Sequence, residues 1–189
     1  MTISQSMVAC SLAAVMTGSA EFAFEGLGEL PGGAPVSSAA GVSANGEVVV
    51  GQSNSRSGAE GFRWTRADGM EGLGSLTTTT FFSSATAVSG NGEVVVGSSH
   101  SGASRSKGEA FRWTAASGME NLRDLLGGEF KSAAKSANVT GSVVVGQGYS
   151  ASGAEAFRWT SSVGMVGLGD FGGGDFRSSA NDVSAAGDV

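Results

Sequence analysis

Short β-branched apolar runs alternate with glycine- and serine-rich polar segments along most of the 189-residue chain. The run Val-Val-Val-Gly occurs three times, and its copies start 46 and then 49 residues apart. A second run, Glu-(Gly/Ala)-Phe-Arg-Trp-Thr, also occurs three times, with copies 49 and then 46 residues apart. Two markers with one period indicate tandem repeats of about 47 residues. The copies are Val48–Gly51, Val94–Gly97 and Val143–Gly146 for the first run, and Glu60–Thr65, Glu109–Thr114 and Glu155–Thr160 for the second.

Each repeat predicts four short antiparallel strands, because runs rich in valine, phenylalanine and tryptophan are typical of strands. In the first repeat, Asn45-Gly46 predicts a two-residue hairpin turn with positive φ at both residues, and Asp68-Gly69 predicts another turn. Alternation along a strand places Phe62 and Trp64 on one face and Arg63 on the other. The predicted strands are Ala40–Ser43, Glu47–Gln52, Gly61–Thr65 and Met70–Leu73, and the recurring turn glycines are Gly46, Gly92, Gly141 and Gly187.

The predicted fold is all-β: tandem four-stranded antiparallel units that form part of a β-propeller, since one blade has four strands in a repeat of this size. Another β-repeat array is the alternative. The units cover residues 34–74, 84–122 and 133–169, and a partial unit covers 178–189. A propeller normally closes with at least four blades, so we expect a fragment of a longer repeat protein or a truncated gene product. A lone strand at Phe24–Leu27 and a helical turn at Glu120–Leu126 are also predicted.

The first 23 residues are typical of an export signal. An apolar stretch from Met7 to Met16 is followed by small residues, with cleavage expected after Ala20 or Ala23. The stretch is too short to span a bilayer as a helix, and no Lys or Arg precedes it. The segment Met7–Cys10 also resembles a lipoprotein cleavage box, but little apolar sequence precedes it, which favours a plain secretory signal. The repeat domain then occupies residues 24–189.

Composition excludes several classes of partner. The net charge is −6 and the chain has no cluster of Lys or Arg, so a nucleic-acid partner is not expected. Cys10 is the only cysteine and would leave with the signal, so no disulfide or cysteine metal site is predicted. The scattered acidic residues match no calcium-loop motif. We therefore expect no cofactor and no bound metal.

Several segments resemble, in order and repeatedly, the HAF-type extracellular repeat family. The matching segments are Ala156–Trp159, Gly164–Gly173 and Ala40–Gly51, and the resemblance runs from about Phe24 to the end of the chain. It implies an exported or surface-associated protein with a propeller-like fold, and it implies no reaction, cofactor or ligand. The chain departs from the family where His is expected before Ala-Phe, because Glu60, Glu109 and Glu155 stand there.

The arginine of each Phe-Arg-Trp run is a candidate binding residue. Arg63, Arg112 and Arg158 could form a ring that captures anionic ligands at a shared face. The structural alternative is that each arginine bridges to a carboxylate or carbonyl of the adjacent unit. Its occurrence once per repeat favours the structural role, because every blade needs the same packing while a single site does not.

His100 is the other candidate binding residue. It is the only histidine, and it lies in a loop that departs from the repeat and also carries Arg105 and Lys107. A solvated loop histidine is the simpler interpretation. A Ser/His/acid catalytic set would have to use His100 as its general base, because the chain has no second histidine. No catalytic residue is identified.

The sequence favours a non-enzymatic, exported or cell-surface protein of the scaffold or binding type, with a surface glycan or a protein as partner. The alternative is a fragment of a secreted propeller enzyme, such as a glycan hydrolase with paired carboxylates at a central channel. Such an enzyme should carry polar residues that break the repeat and converge in space. A non-functional gene remnant is a third interpretation.

Overall fold

A computed structural model of the chain describes residues 25–102 and 107–188. The predicted export signal, Phe24 and Arg105 lie outside these ranges. Within the described ranges the chain forms twelve strands and no helix. The first sheet contains β1 (Gly32–Val42), β2 (Val48–Ser55), β3 (Gly58–Thr65) and β4 (Gly69–Gly72). The second contains β5 (Ser83–Val88), β6 (Val94–Ser99), β7 (Glu109–Thr114) and β8 (Gly118–Asn121). The third contains β9 (Ser132–Ala137), β10 (Val143–Ser150), β11 (Gly153–Thr160) and β12 (Gly164–Gly167).

Each sheet is an antiparallel meander in which strands adjacent in sequence are also adjacent in space. The Val-Val-Val-Gly run begins the second strand of each sheet, and the Phe-Arg-Trp run lies in the third. The sheets pack face to face, because β5 contacts β1, β2 and β3 of the first sheet and β9 contacts β5, β6 and β7 of the second.

Two apolar clusters fill the spaces between successive sheets. Between the first and second sheets, Val48 and Val50 pack with Phe111 and Trp113. Phe111 and Trp113 share one face of β7, as the alternation of the strand predicts. The second cluster repeats this arrangement with members from the second and third sheets. It includes Val94, Val96, Leu122, Val144 and Phe157.

A serine at the start of each following unit links it to the preceding sheet. The hydroxyl of Ser83 accepts a hydrogen bond from the Gly61 amide at 2.9 Å and donates to the Gly74 carbonyl at 2.5 Å. Ser132 and Ser178 accept equivalent bonds from the next two sheets, each at 2.9 Å. Apolar burial and one recurring serine therefore hold successive units together.

Residues 177–188 lie against the third sheet where the first strand of another unit would lie. Arg177 forms a parallel bridge with Ala154, and the amide of Val139 donates to the carbonyl of Ala185 at 3.2 Å. The Lys135 ammonium donates to the side chains of Ser179 and Asn181. This segment follows the course of β5 and β9.

The predicted two-residue turn at Asn45-Gly46 is wrong. Gly46 has a φ of 75°, but Asn45 is not among the described residues with positive φ. The hairpin instead closes at Ser43 and Val48, whose backbone groups bond at 2.9 Å. The Asn45 side-chain oxygen accepts from the Ser43 hydroxyl at 2.6 Å and from the Glu47 amide at 3.1 Å. The asparagine closes a wider loop through its side chain.

Two other local predictions are also wrong. The segment predicted as a helical turn contains the end of β8, where Glu120 pairs with Arg112, and then a loop. Arg123 in that loop has a φ of 67°, which a right-handed helix does not allow. Residues 25–27 of the predicted strand at Phe24–Leu27 are not in a strand, and Phe24 lies outside the described residues.

Candidate ligand-binding cleft

A cleft of about 520 Å³ opens between the second and third sheets, beside the ends of β6 and β10. Its volume lies within the range of small-molecule sites, roughly 300–1,000 Å³. Two cross-strand pairs form its rims, one from each sheet. We name it the His100 cleft, and its lining includes Phe82, Ser98, His100, Lys107, Lys131, Gln147 and Tyr149.

The rim from the second sheet is aromatic. The rings of Phe82 and His100 stack with their centroids 4.7 Å apart, and the His100 amide donates to the Phe82 carbonyl at 3.0 Å. His100 Nδ1 lies 3.1 Å from the carbonyl oxygen of Thr80. A carbonyl can only accept, so this bond requires the proton on Nδ1. Nε2 is then left without a hydrogen-bond partner among the described residues.

The rim from the third sheet combines a cation with a phenol. The Lys131 ammonium lies 4.6 Å from the centre of the Tyr149 ring and 3.3 Å from its hydroxyl oxygen. Lys107 instead donates to Glu129 at 2.9 Å, and this bond holds the pKa of Glu129 below its ordinary value. Lys131 forms no salt bridge within the part of the chain that the structure describes. It therefore contributes to the cleft a positive charge without a salt bridge among the described residues, although this charge also helps to lower the pKa of Glu129.

The groups at the rims are specific to these two units. Phe82 and Lys131 occupy one repeat position, and the first unit has Val36 there. His100 and Tyr149 occupy another position, which is Asn54 in the first unit. The residues at the bottom of the cleft, between the two rims, differ less from one unit to another. Sequence reasoning identified His100 and the basic Lys107 beside it but missed Phe82, Lys131 and Tyr149, which a comparison of aligned repeat positions would have found.

The three candidate arginines lie elsewhere. Arg63 and Arg112 both line a second cleft of about 580 Å³, whose lining does not include Arg158. Arg112 Nε donates to the carbonyl of Gly141 in the next unit at 3.3 Å, and its Nη1 lies 3.8 Å from Glu120. Contacts of this kind are what the structural alternative predicts, while ligand binding by these arginines stays a prediction. Glu47, Glu71 and Glu93 also line this second cleft.

Another unit-specific cluster surrounds Glu109, whose side chain is buried. Its carboxylate accepts hydrogen bonds from the hydroxyl of Ser101 and from the side-chain amide of Asn121, the latter at 2.5 Å. Burial raises the pKa of the neighbouring Asp124 to about 6, and the charge of Glu109 adds to this rise. The Ser132 hydroxyl opposes the rise by bonding to the Asp124 carboxylate.

This cluster replaces a simpler arrangement in the other two units. There, Glu60 and Glu155 accept hydrogen bonds at 2.9 Å from the backbone amides of Gly74 and Gly169. The second unit has Arg123 at that glycine position. Sequence reasoning treated Glu109 as one of three equivalent residues and did not identify its pairing with Asp124.

Across residues 25–102 and 107–188, no group of three or more His, Cys, Asp or Glu side chains is placed to hold a metal ion. The same residues contain no helix that is long and apolar enough to cross a membrane.

The sequence matches no protein-family model and no curated protein. Among solved structures, the chain is similar to a putative TolB from Agrobacterium tumefaciens, with a TM-score of 0.52 and 17% identity. That match covers 81% of this chain and 56% of the other. TolB from Acinetobacter baumannii matches with a TM-score of 0.50 and 13% identity, over 76% of this chain and 34% of the other. The chain thus spans 56% and 34% of these two propeller proteins. At this identity the likeness shows the fold alone, and it confirms an all-β chain that forms part of a β-propeller.

Proposed function

We propose that this protein is an exported, non-enzymatic binding protein of the β-propeller type that holds its ligand in the His100 cleft. The observation that carries the proposal is the concentration in one cleft of polar and aromatic groups that the repeat does not require. The packing between sheets uses the valines, the Phe-x-Trp pair, the leucines and alanines of the two apolar clusters, and the linking serine. Side chains that break the repeat and converge in space mark a site grafted onto a scaffold, for binding or for catalysis. Among the described residues, the lining of this cleft contains no Asp or Glu, so it lacks the paired carboxylates expected of a glycan hydrolase, which favours binding.

Export is supported by the apolar stretch from Met7 to Met16 and by the resemblance to extracellular HAF-type repeats. A fusion of residues 1–30 to a reporter that is active only outside the cytoplasm tests this half of the proposal. We expect activity from the fusion and none from a version that lacks residues 7–16. A reporter that stays inactive in both would contradict export.

Binding is tested with the purified full chain on an array of surface polysaccharides and cell-surface proteins. We expect Tyr149→Ala to lose binding without a change in melting temperature, because the ring is half-buried at the rim and not in the core. Phe171→Ala is the matched control, since Phe171 is 97% exposed and lies outside the cleft. Equal binding by both variants would contradict the assignment of the cleft.

The glycan-hydrolase alternative has one observation in its favour, the carboxyl pair of Glu109 and Asp124 beside a cleft of about 380 Å³. An acid whose pKa lies near neutrality is a usual component of glycoside hydrolysis. However, Asp124 lies within hydrogen-bonding reach of Glu109, whereas the two carboxyls of a hydrolase stand roughly 5–9.5 Å apart. Binding is therefore the better-supported function. Release of reducing sugar by the parent chain, lost in Asp124→Asn, would reverse this conclusion.

A further inference from the structure

We infer that the ligand of the His100 cleft is an acidic saccharide, that is, a sugar that carries a carboxylate. The inference rests on the proposed binding function and adds the chemical class of the ligand. It follows from three properties of the cleft: its charge, its aromatic surfaces and its remaining hydrogen-bonding groups.

The charge of the cleft is opposite to that of the protein. The chain has a net charge of −6, yet two of its lysines, Lys107 and Lys131, line this one cleft. Lys107 forms a salt bridge with Glu129, whereas Lys131 forms none within the described residues and lies against the Tyr149 ring and hydroxyl. An ammonium group in this position gains most from an anionic partner, because a charge-assisted hydrogen bond is stronger than one between neutral groups.

The aromatic surfaces indicate a ligand larger than a simple anion. Phosphate or sulfate would occupy a small part of 520 Å³ and would make no use of the Phe82 and Tyr149 rings. The face of a pyranose carries several C–H groups and packs against aromatic rings. Its hydroxyls need donors and acceptors nearby, and the cleft has both. The Lys131 ammonium is a donor, while His100 Nε2 and the side-chain oxygen of Gln147, whose amide nitrogen donates to the Ser178 carbonyl at 2.8 Å, are acceptors.

A polyanionic nucleic acid fits this surface poorly. The two lysines and His100 lie within a single small cleft, and the chain as a whole has a sequence pI near 4.7. Nucleic-acid binding normally uses an extended row of phosphate contacts. A short acidic saccharide needs only one carboxylate beside Lys131 and one ring face beside the aromatic rims.

Isothermal titration of the full chain with trigalacturonate, maltotriose and a triglutamate peptide at low salt tests the inference. We expect trigalacturonate to bind, and the other two to bind at least about tenfold more weakly. Lys131→Gln should reduce trigalacturonate affinity by about tenfold or more, the usual range for loss of a charge-assisted hydrogen bond. Arg56→Gln, which removes the same charge at an exposed position outside the cleft, should leave the affinity unchanged.

The outcomes separate the two levels of the proposal. If maltotriose binds as well as trigalacturonate and Tyr149→Ala abolishes both, the binding function stands and the acidic class is wrong. If triglutamate binds equally, the cleft recognises carboxylates and not sugars, which also overturns the inference. If Lys131→Gln and Arg56→Gln weaken binding equally, the attraction is non-specific charge. If none of the three probes binds at millimolar concentration, the inference fails, and the array experiment then decides the binding function alone.

Discussion

The second unit differs from its neighbours at individual residues around one buried carboxylate. Glu109 recurs in every repeat, but here Asn121 and Asp124 surround it, and Asp124 Oδ1 is buried without a hydrogen-bond partner among the described residues. Two carboxyl groups in a partly desolvated space repel each other when both are ionised. The consequence is that this unit is less stable when Asp124 carries its charge.

We therefore expect the stability of the protein to fall as pH rises from about 4 to about 6. The pKa of Asp124 is about 6 in the folded chain against an ordinary value of 3.8. Between these values the folded state binds more protons than the unfolded state, so raising the pH favours unfolding, and the effect is complete about one pH unit above the folded-state pKa. Asp124→Asn should remove this slope and be more stable than the parent at pH 7, as measured by urea unfolding at several pH values.

Asp182→Asn is the control for this experiment. The hydroxyl of Ser136 donates to Asp182 and lowers its pKa, so its contribution to stability has the opposite dependence and is lost as pH falls. Asp182 is exposed, and we expect the effect to be small. If the free energy of unfolding of Asp124→Asn still fell between pH 4 and 6 as in the parent, Asp124 would not be the cause of this pH dependence.

Arg123 has a backbone conformation with positive φ, and the residues at this position in the other two units, Gly74 and Gly169, are glycines. Its φ of 67° lies in the left-handed region, where a non-glycine residue costs on the order of 1 kcal/mol. The bond from its amide to Asn121 Oδ1, at 2.6 Å, would remain in a glycine variant. Arg123→Gly should therefore raise the free energy of unfolding by roughly 0.5–1 kcal/mol in urea titrations. Arg56→Gly, at an exposed position without positive φ, should give no gain, and a gain of equal size there would point to charge and not to backbone strain.

At the scale of the element, the period predicted most of what the structure shows. The second and third strands of every unit were identified because valine and aromatic runs specify them locally. The turns were predicted less well. The pair Asn45-Gly46 predicts a two-residue turn, whereas the side chain of Asn45 closes a wider loop. The identity of two adjacent residues does not show which hydrogen bonds the asparagine side chain makes.

The glycine that ends each Val-Val-Val-Gly run has a steric cause. In the second unit, a Cβ on Gly97 would overlap the carbonyl oxygen of Ser84 on the adjacent β5, where the pairing register shifts between Ala85 and Ala87. It would also lie 2.9 Å from Cε1 of Phe111. The close approach of two strands at an irregular pairing thus explains why the valine run stops at this residue.

Gly97→Ala should lower the free energy of unfolding by about 2–3 kcal/mol, the upper part of the range for overpacked cores. Denaturant titration with a tryptophan-fluorescence readout measures this, since Trp113 lies in the adjacent cluster. Gly174→Ala is the control, because nothing lies within 4 Å of the added methyl group and its φ is not positive. Equal stability of the two variants would show that β5 moves aside at little cost.

At the scale of the whole molecule, contacts occur mainly between neighbouring sheets, so stability should be a sum of unit and junction contributions. The sequence predicted the repeat and the propeller class because both follow from the period. It did not predict the His100 cleft, because Phe82 and Tyr149 are 67 residues apart in the sequence. Only the pairing of strand ends and the face-to-face packing of two sheets bring these residues to the same opening.

The linking serines allow one substitution to be compared at two places in the array. Ser83 is fully buried between two complete sheets, while Ser178 is half-buried between the third sheet and a single segment. Each hydroxyl accepts from a backbone amide of the preceding sheet, Gly61 for Ser83 and Ala156 for Ser178, both at 2.9 Å. The chemistry removed by alanine is therefore the same, and only the position in the array differs.

Ser83→Ala should lower the global free energy of unfolding by about 1–3 kcal/mol, because it leaves the buried Gly61 amide without a partner. Ser178→Ala should leave the global value nearly unchanged, because the terminal segment can detach while the three sheets stay folded. Its effect should appear instead in native-state hydrogen exchange, as lost protection confined to the amides that bond between the third sheet and this segment, those of Val139, Ala156, Ser178 and Ala180. If Ser178→Ala reduced the global value as much as Ser83→Ala, residues 177–188 would unfold together with the sheets. The terminal segment would then be part of the cooperative core, and stability would not separate into neighbouring junctions.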